Sequence, residues 1–356
     1  MGTINVGLIG VGNCAASLVQ GVEYYAANAS AAGLANPTCG GYAVSDIRFT
    51  SAFDVHAGKI NRDLSEAIWV APNNALKFID TAPCGVRVHE GVLSDGVGKR
   101  CSDHIKTVGG CTLEDIAAHL TTTNTNVLVS FLPTGSQHAS EIYAEAALRS
   151  RCAFINCLPA VIARSTEWVR RFEEARVPLL GDDLKSQFGA TLLHHALIEA
   201  LARNGVKLLG TYQIVSGGNM DFLNLQDPER VQSKKATKVQ GFGGTELPSA
   251  STHFGAEYIP FLKDRKTAFV RIDGEAFGGT PIEVDLRMAV EDSPSAAGNV
   301  LDAIRYMKTA LDRGDGGVIM PVAALLMKAP PVAMSEVDAR YAITMWTKGD
   351  TAAVPP

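Results

Sequence analysis

Four lysines in this chain have no evident structural task, and their surroundings point to the chemistry of anions. Lys234 and Lys238 stand at i and i+4 in SKKATK. On a helix they would share a face and repel unless an anion lay between them. Lys266 in DRKTAFVRIDG and Lys328 in LLMKAPP border apolar runs. An ammonium there is costly unless something negative meets it. The chain also opens with VGLIGVGNCAASL, a glycine loop between an apolar strand and a helix. Together these features predict redox chemistry on an anionic substrate, a phosphate or an enolate.

The loop can be read residue by residue. Gly10 permits the tight turn, Gly12 lets a phosphate approach the backbone, and Ala15 keeps close helix packing where a third glycine is usual. Asn13 and Cys14 open the helix, whose free N–H groups suit a pyrophosphate. Asp54 ends the second strand, where a carboxylate would bond ribose hydroxyls and repel a 2′-phosphate, so NAD is favoured over NADP. Its distance from Gly10 is long for this role, and an insertion at 28–46 accounts for it. Two later strands end in Leu-Pro. Pro133, Thr134, Gly135 and Ser136 after one, and Asn156 within the other, are expected on the nicotinamide side, although Ser136 could equally cap the next helix. In GDDLKSQ, Asp182, expected at the cofactor, stands with Asp183, Ser186 and Gln187 at a strand end and helix start, a ready phosphate site. Asn219 and Asp221, expected to supply polar contacts to the substrate, follow two glycines after YQIVS, and Asp292 is expected to meet Lys266 through a hairpin.

These residues need a scaffold. Apolar runs at 4–9, 47–55, 127–133, 153–159 and 177–183 alternate with helical patterns, which predicts a doubly wound parallel sheet. Alternating segments at 208–216, 267–277 and 281–291 predict antiparallel strands of a second α+β domain. A helix over 295–313 and another over 321–328 return to the first domain, and residues 58–110 give little signal. The 356 residues carry a net charge of −5 and 19% charged residues, against a broad nucleic-acid surface. No apolar run is long enough to cross a bilayer. Seven scattered cysteines without a CxxC pair support neither a zinc site nor a disulfide framework, and the start on a strand gives no signal-peptide pattern. A cytoplasmic protein is the expectation.

The blocks GVGNCAASLVQGVEYY, AFDV, NN at 73–74, LPTGS, GDDLKSQ, GGNMDFLN, SKK-x-x-K, DRK-x-A-x-V-R, EDSPSAAG and LMK-x-PP run in order over nearly the whole chain. Together they make it resemble the myo-inositol-1-phosphate synthases, particularly the shorter bacterial and archaeal type. The resemblance implies a Rossmann domain built from residues 1–183 and 310–356, and a central catalytic domain, 184–309, through which a homotetramer forms. It implies a sugar 6-phosphate substrate, with NAD oxidising a hydroxyl to a ketone, enolisation of the neighbouring carbon, an intramolecular aldol step and return of the hydride. By motif it assigns Lys234 and Lys266 to proton transfer and oxyanion stabilisation, and Lys328 to the aldol oxygen. Lys238 and Ser186 become the phosphate clamp. Asp183 and Asp292 orient lysines, relay protons or bind a cation near the phosphates, Asp221 supports its loop, and Asn74 joins the cofactor site. The chain departs from the family pattern in two places. Val215-Ser216 stands where Asn-Val is usual, and Phe188 stands where a small residue or Val is usual. Fructose 6-phosphate closing to a five-membered cyclitol phosphate is therefore an alternative to glucose 6-phosphate giving inositol phosphate.

Overall fold

A computed structural model describes residues 2–28, 30–230 and 251–349. Seven strands form a wholly parallel sheet, in the order Gly317–Val318, Pro178–Leu180, Ala153–Asn156, Val127–Ser130, Ile4–Ile9, Ile47–Asp54 and Val88–Glu90. The chain builds outward from Ile4–Ile9 to one side and then returns to build the other. The strand order therefore reverses between Ile4–Ile9 and Val127–Ser130, where α/β sheets open a crevice. The central strands are apolar and buried on both faces, as covered parallel strands must be. Strand Val88–Glu90 lies in the stretch that gave little sequence signal, being only three residues long with two of them exposed.

The second sheet has the order Thr252–Tyr258, Lys207–Gly217, Arg265–Glu275, Pro281–Glu291. The three expected strands, Lys207–Gly217, Arg265–Glu275 and Pro281–Glu291, pair antiparallel as read, and a fourth that the sequence reading did not include, Thr252–Tyr258, adds in parallel to Lys207–Gly217 and makes the sheet mixed. Its inner face packs Val215, Ala268 and Phe222 against Ala190 at the start of helix Ala190–Arg203. The outer face leaves Tyr212, Ile214 and Phe269 exposed.

Helix Asp292–Arg313 runs from the end of the second sheet onto the first, where Val300, Ile304 and Met307 join the main core. The insertion at 28–46 docks on this helix. Arg305, fully buried, donates to the carbonyls of Asn36 and Pro37 at 3.0 and 2.9 Å and pairs with Asp302. No helix among the described residues is long and apolar enough to cross a membrane.

Candidate functional site

The crevice at the strand reversal is a cavity of about 330 Å³ that extends to the second sheet. Its entrance is the glycine loop. Gly10 has φ +82°, and a Cβ there would lie 2.9 Å from the Phe131 carbonyl oxygen, so only glycine fits without strain. Gly12 is different. A Cβ there would meet no atom within 4 Å, so the missing side chain leaves open space. Helix Asn13–Ala27 starts beside it with no side-chain cap, leaving its first-turn N–H groups facing the opening. Fully buried Ala15 serves helix packing. The cradle fits the pyrophosphate of a dinucleotide.

Asp54 lines the crevice, but its carboxylate is already engaged. It accepts from the N–H groups of Val11 and His56, both at 2.7 Å, and lies 3.4 Å from the ammonium of Lys59. Lys59 is buried and also donates to the Val11 carbonyl at 2.8 Å. The pair fixes the glycine loop, and sequence reading missed Lys59 because nothing in AGKIN marks it as buried.

At the inner end, residues from both sheets meet. Asn13 donates to Asn74 at 2.7 Å and to Asp264 at 2.9 Å. Asn219 also donates to Asp264, at 3.0 Å, while its oxygen caps the N–H groups of Asp221 and Phe222. Ser293 donates to Asp264 through both backbone and hydroxyl. Asp264 is 1% exposed and is the hub of the site, although sequence reading passed over it. Burial pushes its carboxyl above the usual range and the charge of Asp292 adds to this, against hydrogen bonds from Asn219, Asn13 and Ser293. Asn74 reaches on to the Gly218 carbonyl, tying the dinucleotide loop to the second sheet. The Cys14 thiol is pushed up to about 12, first by burial and then by Asp292 and Asp264, so it stays protonated.

Two lysine–aspartate pairs face this space. Lys266 and Asp292 come together through the hairpin, as expected, with Nζ 3.0 Å from Oδ1. Lys328 lies 2.5 Å from Asp183. Lys328 is not within a helix, contrary to the sequence reading. Helix Met320–Leu326 ends before it, and the chain then pairs with 183–185. The Lys328 N–H donates to the Asp183 carbonyl and the Lys185 N–H to that of Leu326. Pro330 and Pro331 just beyond disfavour helix here. Thr134, next to cleft-lining Pro133, donates its hydroxyl to Asp221 at 3.2 Å. Ser186 lines the same cavity.

Several expectations are corrected. GDDLKSQ does not start a helix, since Gly189 is the N-cap of Ala190–Arg203. Asp182 and Asn156, expected at the cofactor, are both fully buried and turned away from the cavity. Asp182 accepts from Asn156 at 2.8 Å and from the N–H groups of Ile162, Ala163 and Arg164, so it anchors a loop. Gln187 donates to the Gly33 carbonyl at 2.6 Å and does not line this cavity. Ser136 is buried, bonds the Pro133 carbonyl, and caps nothing with its side chain. Asp95 instead accepts from the N–H groups of His138 and Ala139 at the start of helix Gln137–Arg149. Gly135, with φ +92°, lies against Arg230. Phe188 is 53% exposed and does not line the cavity. Lys234 and Lys238 lie outside the described residues. Among the described residues no group of three or more His, Cys, Asp or Glu side chains could hold a metal ion.

A doubly wound sheet with a second sheet closing its crevice defines a Rossmann-type α/β protein with an added α+β domain. The relatives sharpen this. A sequence profile described as myo-inositol-1-phosphate synthase matches residues 189–293. The chain is 43% identical over 344 residues to an inositol-3-phosphate synthase of Mycobacterium tuberculosis, covering 95% of this chain and 94% of that protein. It is 42% identical over 353 residues to that of Corynebacterium glutamicum, covering 95% and 96%. The crystal structure of Ari2 superposes with a TM-score of 0.80 at 31% identity, covering 99% of both chains. A myo-inositol-1-phosphate synthase-related protein from Thermotoga maritima shares the fold, with a TM-score of 0.81 at 24% identity over 97% and 98%. The chain belongs to the myo-inositol-1-phosphate synthase family.

Proposed function

We propose that this protein cyclises glucose 6-phosphate to myo-inositol 1-phosphate, using NAD that is regenerated within each turnover. The observation that carries the reading is the meeting of the Lys266–Asp292 and Lys328–Asp183 pairs in one cavity that begins at an open glycine cradle. Gly10, Gly12 and the start of helix Asn13–Ala27 would hold the dinucleotide, which when bound supplies a hydride acceptor and then a donor. The chain's residues do the rest. Lys266 holds or moves the proton of the alcohol undergoing oxidation, together with Lys234, and Asp292 orients its ammonium. Lys328, held by Asp183, stabilises the oxygen that gains charge in the aldol step. Preorganised cations in a cavity shielded from water are worth far more than in solution. Ser186 and Lys238 clamp the phosphate, and holding both ends of the chain favours ring closure. Asp221, bonded to Thr134, keeps its loop in place.

Residues 1–183 and 310–356 serve the dinucleotide, and 184–309 the substrate. The outer face of the second sheet, with Ile214, Tyr212 and Phe269 exposed, supports a homotetramer in which a second copy covers it. Seven free cysteines suit a reducing cytoplasm.

Incubation with NAD and either glucose 6-phosphate or fructose 6-phosphate, with product ring size read by NMR, tests the assignment. A six-membered cyclitol phosphate from glucose 6-phosphate is expected, and no ring from either sugar refutes it. A second reading, in which fructose 6-phosphate closes to a five-membered ring, is favoured by Val215. This apolar residue faces inward where the family pattern has an amide, and a lost polar contact changes which sugar fits.

A further inference from the structure

Strand Lys207–Gly217 turns Thr211, Gln213 and Val215 inward, all buried. Thr211 is engaged, since its hydroxyl meets His194 and donates to the Arg271 carbonyl at 2.6 Å. Val215 belongs to an apolar cluster. Gln213 lies between them, 3% exposed, opposite Val270 and Phe254 on the flanking strands. It lines the same cavity as Lys266 and Asp292. The other buried amides, Gln20, Asn156, Asn219 and Asn224, all donate to protein oxygens. The Gln213 side chain makes no hydrogen bond to a described residue. A leucine would suit such a wall better unless the amide has a ligand to meet.

We infer that Gln213 is a substrate-binding residue that reads a hydroxyl of the sugar chain and so sets which polyol phosphate is accepted. A primary amide offers both a donor and an acceptor. That matches a neutral hydroxyl, which also donates and accepts. A phosphate would take only the amide's N–H groups and leave its oxygen unmet. The ammonium groups serve the charged parts of the ligand, and Gln213 serves an uncharged part. A site built to bond a hydroxyl rejects the analogue that lacks it, because the buried polar group is left unpaired.

This inference rests on the sugar-phosphate reading of the cavity, and its test separates the two. Wild type and Gln213→Leu are assayed with the preferred sugar phosphate and its monodeoxy analogues, alongside melting temperature and NAD affinity. The variant is expected to bind NAD as wild type does and to melt no lower. Its kcat/KM should fall about ten- to a hundredfold on the full sugar. One deoxy analogue should be turned over equally by both proteins. An unchanged kcat/KM, or an equal fall on every analogue, overturns the inference. If wild type forms no ring from either sugar phosphate, the cyclase reading fails. Gln213 is then tested by equilibrium binding of glucitol 6-phosphate and its deoxy analogues to the NAD-loaded proteins. A tenfold or greater affinity loss confined to ligands carrying one particular hydroxyl supports it, and any other pattern overturns it.

Discussion

Replacing Lys328 by methionine separates the structural and chemical roles of its pair with Asp183. The two charged groups are 2.5 Å apart, with side-chain exposures of 14% and 5%. Removing one partner of a buried pair costs about 3–5 kcal/mol, because the remaining charge loses that opposite charge. The partial exposure of the lysine places this case near the lower end, ~3 kcal/mol. With 356 residues at ~2.1 cal/mol/K each, the unfolding entropy is about 0.75 kcal/mol/K, so Tm should fall by roughly 4 °C. In Lys328→Met/Asp183→Asn the buried charge is gone and most of the Tm should return. Activity should not return. Losing one oxyanion-stabilising group costs about 10²–10³ in kcat, and both variants should show that loss in an assay of cyclitol phosphate by NMR. If the double variant regains activity along with Tm, Lys328 acts only to hold Asp183, and its catalytic assignment fails.

Other outcomes follow from the same geometry. Gly12→Ala places a methyl group in open space, so Tm should hold while NAD affinity measured by calorimetry drops at least tenfold; unchanged affinity would remove the pyrophosphate from this loop. His195 is pulled down to about 4 by burial, with the Lys185 charge adding to the shift. The unfolded chain, near ~6.5, therefore binds a proton that the folded chain refuses between those values. Stability should rise with pH from about 4 to 6.5, and His195→Gln should flatten that rise in denaturant titrations. Phe269→Glu on the outer sheet face should convert the proposed tetramer to smaller species by light scattering without lowering the helix content. An unchanged mass would place the subunit interface elsewhere.

The fold was largely legible because its signals are local. Apolar runs alternating with helices identify parallel strands, and Gly10 carries a backbone requirement that no other residue meets, while Gly12 leaves open space in front of the helix. The site was legible where partners lie near each other in the topology, as with Lys266 and Asp292 across one hairpin. It was opaque where function depends on which way a polar side chain turns. Asn156 and Asp182 sit at the predicted strand ends yet fold inward on each other. Asp264 and Gln213 look unremarkable in sequence because their importance comes from burial beside distant residues. Asp95 caps a helix 43 residues away along the chain, a contact that no local motif encodes.

A hydride that leaves and returns within one catalytic cycle is tested by product yield at limiting NAD. With NAD at one hundredth of the sugar phosphate, conversion should run many times beyond the NAD supplied, with no build-up of NADH. Conversion that stops at one product per NAD, with NADH accumulating in step, would contradict it.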